Sequence, residues 1–280
     1  MQPQKIMGIG CLYSDPAAPV GCGGVACDVP MAAVAMGQHA FSASRVGLDQ
    51  AGSQIRNTLA EADINTAAIQ VDSDLPTARI ARIAFSNEPP RLGTDNAIGN
   101  LQWDADLEDM AIAADVVVYD SVSRFNGQCR STIDRVLDSA KRAIRILDHN
   151  TDLVQEAVDS SLVLQALKLA DGCVMPIDQL AWLEPVLRDL TVNEAAGRFL
   201  NAHELQMLLL MEPARGMATL QTAEGTIQAS FQGQLNRHQA LVSLVLGVTA
   251  GMPLQVCLNT AMAIGCADAG SIDTSWLKME

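Results

Sequence analysis

Short apolar runs alternate with amphipathic stretches along most of this 280-residue chain. The first run, Ile6-Met7-Gly8-Ile9-Gly10-Cys11-Leu12-Tyr13, predicts a buried strand; Asp15 follows it, then a Pro/Gly-rich loop as far as Gly24. Residues 25–36 are mostly small, end at Gly37, and predict a helix. A strand over 41–46, an amphipathic helix over 52–62 and a strand over 64–71 come next. Over 77–85, Ala78, Ile80, Ile83 and Phe85 partly alternate with Arg79 and Arg82, the pattern of a half-buried strand. Residues 86–99 are turn-rich around Pro89-Pro90. Beyond Asp104 the alternation is regular. Helices are predicted over 107–114, 128–140, 153–169, 191–201, 239–249 and 254–267, the fourth capped by Thr191 or Asn193. Strands are predicted over 116–119, 143–147, 172–175, 206–211 and 217–222. This order implies an α/β fold with a mainly parallel sheet covered by helices on both faces. No repeat or long linker is visible, so 1–280 reads as a single domain, with 77–100 as the one stretch that could stand apart as a small sheet.

Composition adds limits. Hydrophobic residues make up 49% of the chain and mean hydropathy is +0.17, enough for a sizeable core. Aromatics are only 4%, so that core must be Ala, Val, Leu, Ile and Met. No apolar run reaches the roughly 18 residues of a membrane span. The start, Met1-Gln2-Pro3-Gln4-Lys5, lacks a basic region followed by a long apolar stretch, so a cytoplasmic protein is expected. A net charge of −14 disfavours nucleic acid and anionic membranes as partners. A nucleotide would need local cationic groups or Mg²⁺. The seven cysteines are scattered, with no Cys-x-x-Cys pair, which argues for reduced thiols and against zinc. The four histidines show no metal-ligand spacing, so no metal site is expected. Trp103, Trp182 and Trp276 are scattered and read as packing residues.

Five local motifs then occur in a telling order. Gly10 to Asp15 is a strand ending in an Asp, and Gly23-Gly24 is followed by Asp28. Arg45-Val46-Gly47-Leu48-Asp49-Gln50-Ala51-Gly52 comes next, then Pro76-Thr77, then Asp148-His149-Asn150. The series resembles the ribokinase/PfkB family of sugar kinases, especially its fructokinase-like branch, across most of the chain. The resemblance implies a ribokinase-like three-layer α/β/α sandwich with a small β lid, contributed by about 11–20 and 76–101. It also implies a sugar or nucleoside pocket bordered by Asp15, Gly23, Gly24 and Asp28. The chemistry is consistent. Ligands of open α/β sheets bind at the C-terminal ends of strands. Glycines let the backbone approach, and a helix start offers free N–H groups. Asp28 stands where the family has Asn, and an ionised Asp only accepts hydrogen bonds. Read singly, Asp15 is equally a turn residue and Gly23-Gly24 a tight loop.

The last third departs from the resemblance. Phosphoryl transfer needs a base for the attacking hydroxyl and oriented donors for the transferring charge. In the family a Gly-Ala-Gly-Asp turn at a helix N-terminus supplies both. Counted back from Leu246-Gly247, that turn falls on Leu235-Asn236-Arg237-His238. Leu235, Asn236 and Arg237 then form a degenerate anion hole, and His238, or Gln239 after a one-residue shift, stands at the Asp position. No catalytic residue is assigned; His238 is a possible base near neutral pH. The family's Asn-x-x-Glu pair for Mg²⁺ and phosphates is placed on Ala170 and Cys173, and its Thr-x-Gly on Met211-Glu212-Pro213. Asp152 stands where a positive residue is common. The expectation is a sugar-kinase homologue that is noncatalytic or severely impaired and binds a sugar or nucleoside. One alternative is an active kinase using ATP and Mg²⁺ with a rebuilt site based on His238, Asp15 or Asp148. Another is an interaction protein, homodimeric through a lid strand carrying Ile80, Ile83 and Phe85.

Overall fold

A computed structural model describes residues 2–81, 91–93, 95–150 and 159–267. The first part of the chain gives β1 (Lys5–Ile9), β2 (Tyr13–Ser14), β3 (Cys22–Gly23), α1 (Val25–Ala35), β4 (His39–Gly47), α2 (Gln50–Glu61) and β5 (Ile69–Asp72). Two short strands follow, β6 (Ile80–Ala81) and β7 (Arg91–Leu92). Then come α3 (Ala105–Ala113), β8 (Val116–Asp120), α4 (Gly127–Ser139), β9 (Ile144–Asp148), α5 (Ser160–Leu167), β10 (Gly172–Pro176) and α6 (Gln179–Leu183). The chain continues through α7 (Val192–Ala202), β11 (Met207–Glu212), β12 (Met217–Thr222), β13 (Gly225–Ser230), α8 (Arg237–Thr249) and α9 (Leu254–Gly265).

Nine strands form one sheet in the order β13-β12-β11-β10-β9-β8-β1-β4-β5. Pairing is parallel from β5 to β11 and antiparallel where β12 and β13 close one edge. Strand side chains alternate between faces, and here both faces are apolar. In β8, Val116 and Val118 join the core under α1, α2, α8 and α9, while Val117 and Tyr119 join the core under α3 to α7. In β11, Leu209 and Met211 face the first core and Leu208 and Leu210 the second. The result is the expected three-layer α/β sandwich with a mainly parallel sheet.

Several local outcomes differ from the pattern reading. The opening strand stops at Ile9 because Gly10 takes φ +122°, and a Cβ there would meet Asp120 Oδ2 at 2.2 Å. β13 gave no clear signal: its six residues, GTIQAS, are mostly polar or small and it forms by pairing with β12. Thr191, not Asn193, caps α7, in a reciprocal capping box with Glu194. Ile83, Phe85 and Pro89-Pro90, the 153–158 part of the expected helix, Asp152 and Trp276 lie outside the described residues. No helix among the described residues is long and apolar enough to cross a membrane.

β2 and β3 form a small antiparallel hairpin over the β1–α1 connection, and β6 pairs with β7. The two pieces meet where the Ser14 N–H donates to the Ala78 carbonyl at 2.9 Å. The 45–52 motif is a clasp for this region. Asp49 caps α2 through the Gly52 N–H at 2.8 Å, and accepts the Thr77 hydroxyl at 2.6 Å and the Thr77 N–H at 3.0 Å. A Cβ on Gly47 would lie 2.5 Å from the Thr77 nitrogen. The motif therefore ties β4 and α2 to the segment leading into β6.

Candidate functional site

The C-terminal edge of the sheet carries two buried carboxylates, Asp120 at the end of β8 and Asp148 at the end of β9, opposite each other in register. Asp120 accepts the backbone N–H groups of Cys11 and Ser123, both at 2.6 Å, and the Ser123 hydroxyl at 3.1 Å. Burial pushes its carboxyl above the usual range against those donors. It is a strut that holds the turn after β1. Sequence reading missed it, although an Asp that closes an all-apolar run was visible.

The glycine loop is shaped from within. Gly24 caps α1 at φ +102°, and a Cβ there would sit 2.3 Å from the Cys11 carbonyl oxygen. That carbonyl accepts the Ala26 N–H at 3.1 Å. At Gly23 a Cβ would press on the Tyr13 ring at 2.9 Å. Asp28 lies one turn into α1, and its Oδ2 accepts the Gly24 N–H at 3.1 Å. Its side chain is 33% exposed, and desolvation pushes its pKa up despite His238, the Gly24 N–H and Arg237. Asp15 is buried in the β2–β3 turn and accepts the Ala17 N–H at 3.0 Å.

The start of α8 faces this loop. Asn236 is the cap, and its side-chain oxygen accepts the Gln239 N–H at 3.1 Å. Its own N–H donates to the Gly265 carbonyl at the end of α9 at 2.7 Å. Leu235 packs against Gly265, where an added Cβ would stand 2.7 Å from its methyl carbon. Arg237 Nη2 donates to Asp148 Oδ2 at 2.9 Å, and His238 Nε2 meets the same oxygen at 2.9 Å. The other ring nitrogen of His238 is 3.5 Å from Asp28 Oδ2. His238 therefore bridges the carboxylate of β9 and that of α1. Burial pushes Asp148 up, but Arg237 and His238 outweigh it and hold its pKa below the ordinary value. Asp148 Oδ1 and Gln239 Oε1 are buried without a hydrogen-bond partner among the described residues.

His149 plays no part in that bridge. It is fully buried, within 2.9 Å of the Ser121 hydroxyl and 3.3 Å of Gln179 Oε1, and stacked on Trp182. Burial lowers its pKa, which favours the neutral ring.

The residues do not fit Mg²⁺ and ATP as the family would hold them. The placement of Asn-x-x-Glu on Ala170 and Cys173 is wrong. Ala170 precedes β10 and Cys173 is its second residue, and both are packed in the apolar core rather than in the loop beyond the strand's C-terminal end, where ligands of such sheets bind. Asp171 beside them is committed to Arg145 through contacts of 2.8 and 2.9 Å. A pair serving phosphates must leave β10 at its C-terminal end, where the chain reads Pro176-Ile177-Asp178-Gln179-Leu180. Four residues counted from Ile177 end on Leu180, and neither offers the oxygen ligands Mg²⁺ requires. Met211-Glu212-Pro213 does lie at the correct end of β11. There Met211 is buried and Glu212 pairs with Arg215 at 3.2 Å. No group of three or more His, Cys, Asp or Glu among the described residues could hold a metal ion.

The comparisons with known proteins fit this frame. The family model described as pfkB family carbohydrate kinase matches residues 17–231, a span that ends before the start of α8. No curated protein sequence matches this chain. The fold is similar to that of fructokinase from Xylella fastidiosa, at TM-score 0.75 and 19% identity, covering 94% of this chain and 91% of that one. It is similar to Halothermothrix orenii fructokinase, at TM-score 0.75 and 17% identity, over 94% and 98%. It is also similar to aminoimidazole riboside kinase from Salmonella enterica, solved with aminoimidazole riboside and an ATP analogue, at TM-score 0.72 and 16% identity, over 98% and 96%. With 17–231 of its 280 residues matched by the family model, this chain belongs to the pfkB family of carbohydrate kinases.

Proposed function

We propose that this chain is a pfkB-family protein that has given up phosphoryl transfer and binds a sugar or nucleoside without reacting it. One observation carries the reading. Where the family places bare glycines and an Asp, the first turn of α8 carries Arg237 and His238, and both are paired inward to Asp148. A helix N-terminus attracts anions when its N–H groups point into open space. Here the Asn236 side chain takes the Gln239 N–H, and the neighbouring side chains occupy the approach. Ile177 and Leu180, aligned with the Mg²⁺ pair, offer no side-chain oxygen ligands, and Met211, aligned with the nucleotide-side Thr, offers no hydroxyl. Asp15, Gly23, Gly24 and Asp28 remain as the proposed substrate side, with Tyr13 in electrostatic reach of both carboxylates.

A thermal-shift panel of sugars and nucleosides, each with and without Mg²⁺–ATP, tests this, run beside a phosphotransfer assay. A ligand at a hundred times its dissociation constant stabilises the fold by about 2.7 kcal/mol. The expected result is a shift with one sugar or nucleoside, none with Mg²⁺–ATP, and no phosphorylated product. Product formation above background overturns the proposal. In that event the His238–Asp148 contact points to the second reading, a base oriented by a carboxylate. Turnover that His238→Gln abolishes would establish it.

A further inference from the structure

Cys22 in β3 and Cys27 in α1 place their sulfurs 3.2 Å apart, both side chains buried. They come from opposite sides of the Gly23-Gly24 loop, so the fold and not sequence adjacency brings them together. A disulfide bond is about 2.05 Å long, so closure needs roughly another 1.1 Å of sulfur approach. The two thiols are not equivalent. The contact between the two sulfurs lowers the Cys22 pKa and raises that of Cys27. Access comes from the Cys22 side. It lines a cavity of about 260 Å³ between the β2–β3 hairpin and α2, with Val20, Gly21, Gln54 and Thr58 among its walls. Cys27 is not among those walls, which makes Cys22 the nucleophile and Cys27 the resolving thiol. Gly21 at its rim is exposed.

We propose that Cys22 and Cys27 are a redox modification site that closes to an intramolecular disulfide with a low-molecular-weight disulfide as oxidant. The Cys22 thiolate attacks one sulfur of RS–SR, forming a mixed disulfide and releasing RS⁻, which takes up a proton. Cys27 then gives up its proton and attacks Cys22 Sγ, and the second RS⁻ leaves as RSH. Two protein thiols and one RS–SR become one protein disulfide and two RSH. The cysteines lose two electrons and the oxidant gains them. The bond pins β3 to the first turn of α1, where Cys27 immediately precedes Asp28. Its effect on ligand binding rests on the function proposed above; the modification itself does not.

The test uses the full chain, reduced and then equilibrated with glutathione disulfide. It is quenched with an alkylating agent under denaturing conditions and digested with trypsin. Cys11, Cys22 and Cys27 all fall in the peptide 6–45. The expected product has that peptide lighter by two hydrogens, with Cys22 and Cys27 protected and Cys11 alkylated. Dithiothreitol reverses it, and oxidation raises Tm by a few degrees. Cys22→Ser and Cys27→Ser each lose both the mass change and the Tm shift. Recovery of Cys22 and Cys27 as alkylated thiols while half-exposed Cys266 carries a glutathione adduct overturns the proposal. So does a disulfide through Cys11. If the disulfide forms but no sugar or nucleoside shifts Tm in either redox state, the proposed function fails and this inference stands.

Discussion

The β1–α1 loop and the first turn of α8 face each other across the same edge of the sheet, and they have fared differently. In the loop, bare backbone is enforced by the protein's own packing. A Cβ added to Gly24 would stand 2.3 Å from the Cys11 carbonyl oxygen, and one added to Gly10 would strike the Asp120 carboxylate. At α8 the turn meets nothing that forbids side chains, and Asn236, Arg237 and His238 occupy it. They are anchored by Asp148 and by the end of α9. A glycine retained for internal fit persists whether or not a ligand binds. A glycine whose only duty is to admit a phosphate is free to change once that duty ends. On the function proposed above, Gly23-Gly24 therefore argues less for a sugar than its motif suggests, and the side chains of the α8 turn argue more against phosphate.

The comparison can be broken most severely at Gly24. Gly24→Ala combines a positive φ with a backbone clash, and we expect a loss of about 4 kcal/mol in urea unfolding. A loss below about 1 kcal/mol would mean that the loop tolerates side chains, as the α8 turn does. Asp148→Asn leaves Arg237 and His238 without their shared anion. Both side chains are partly solvated, so the expected loss is about 2 kcal/mol, below the range for fully buried pairs. An unchanged unfolding midpoint would show that the bridge holds nothing together.

The same variant sharpens the pH dependence. The folded pKa of Asp148 is depressed, so its stabilisation is complete above the unfolded value of about 3.9 and disappears as pH falls through the lower folded value. The gap between wild type and Asp148→Asn should be flat above about pH 5 and close in stronger acid. Asp28 has the opposite sign. Its folded pKa is raised, so its contribution is full below the unfolded value and is lost as pH rises through the folded one. Asp28→Asn should therefore raise Tm slightly at neutral pH, with the gain shrinking in acid; a fall in Tm at neutral pH would contradict this. The smallest effect is expected for His238→Ala, a loss of about 1 kcal/mol or less, because Arg237 still pairs with Asp148.

Much of the fold was legible because the strands β8 to β11 are short, apolar on both faces and separated by periodic helices. The site was legible only where residue type and function coincide. His238 and Asp28 were singled out by motif position, but nothing in their spacing said that one ring would touch both Asp28 and Asp148. Asp120 was overlooked because its two shortest bonds are to backbone N–H groups, which leave no mark on composition. Ala170 and Cys173 were misplaced because a four-residue pattern carries no indication of which end of a strand it occupies.

What the sequence determined by itself is the alternation of strands and helices, the two-sided core and the family. These follow from local periodicity and from motifs that carry their order with them. The tertiary structure decided which side chains share an edge. It turned the first turn of α8 toward Asp148, brought Cys22 within 3.2 Å of Cys27, and made Gly24 a requirement of the Cys11 carbonyl. The physical reason is that contacts between groups as far apart as Asp148 and His238 depend on how strands order in the sheet and how helices seat on it. That placement is summed over the whole core and is written in no single segment.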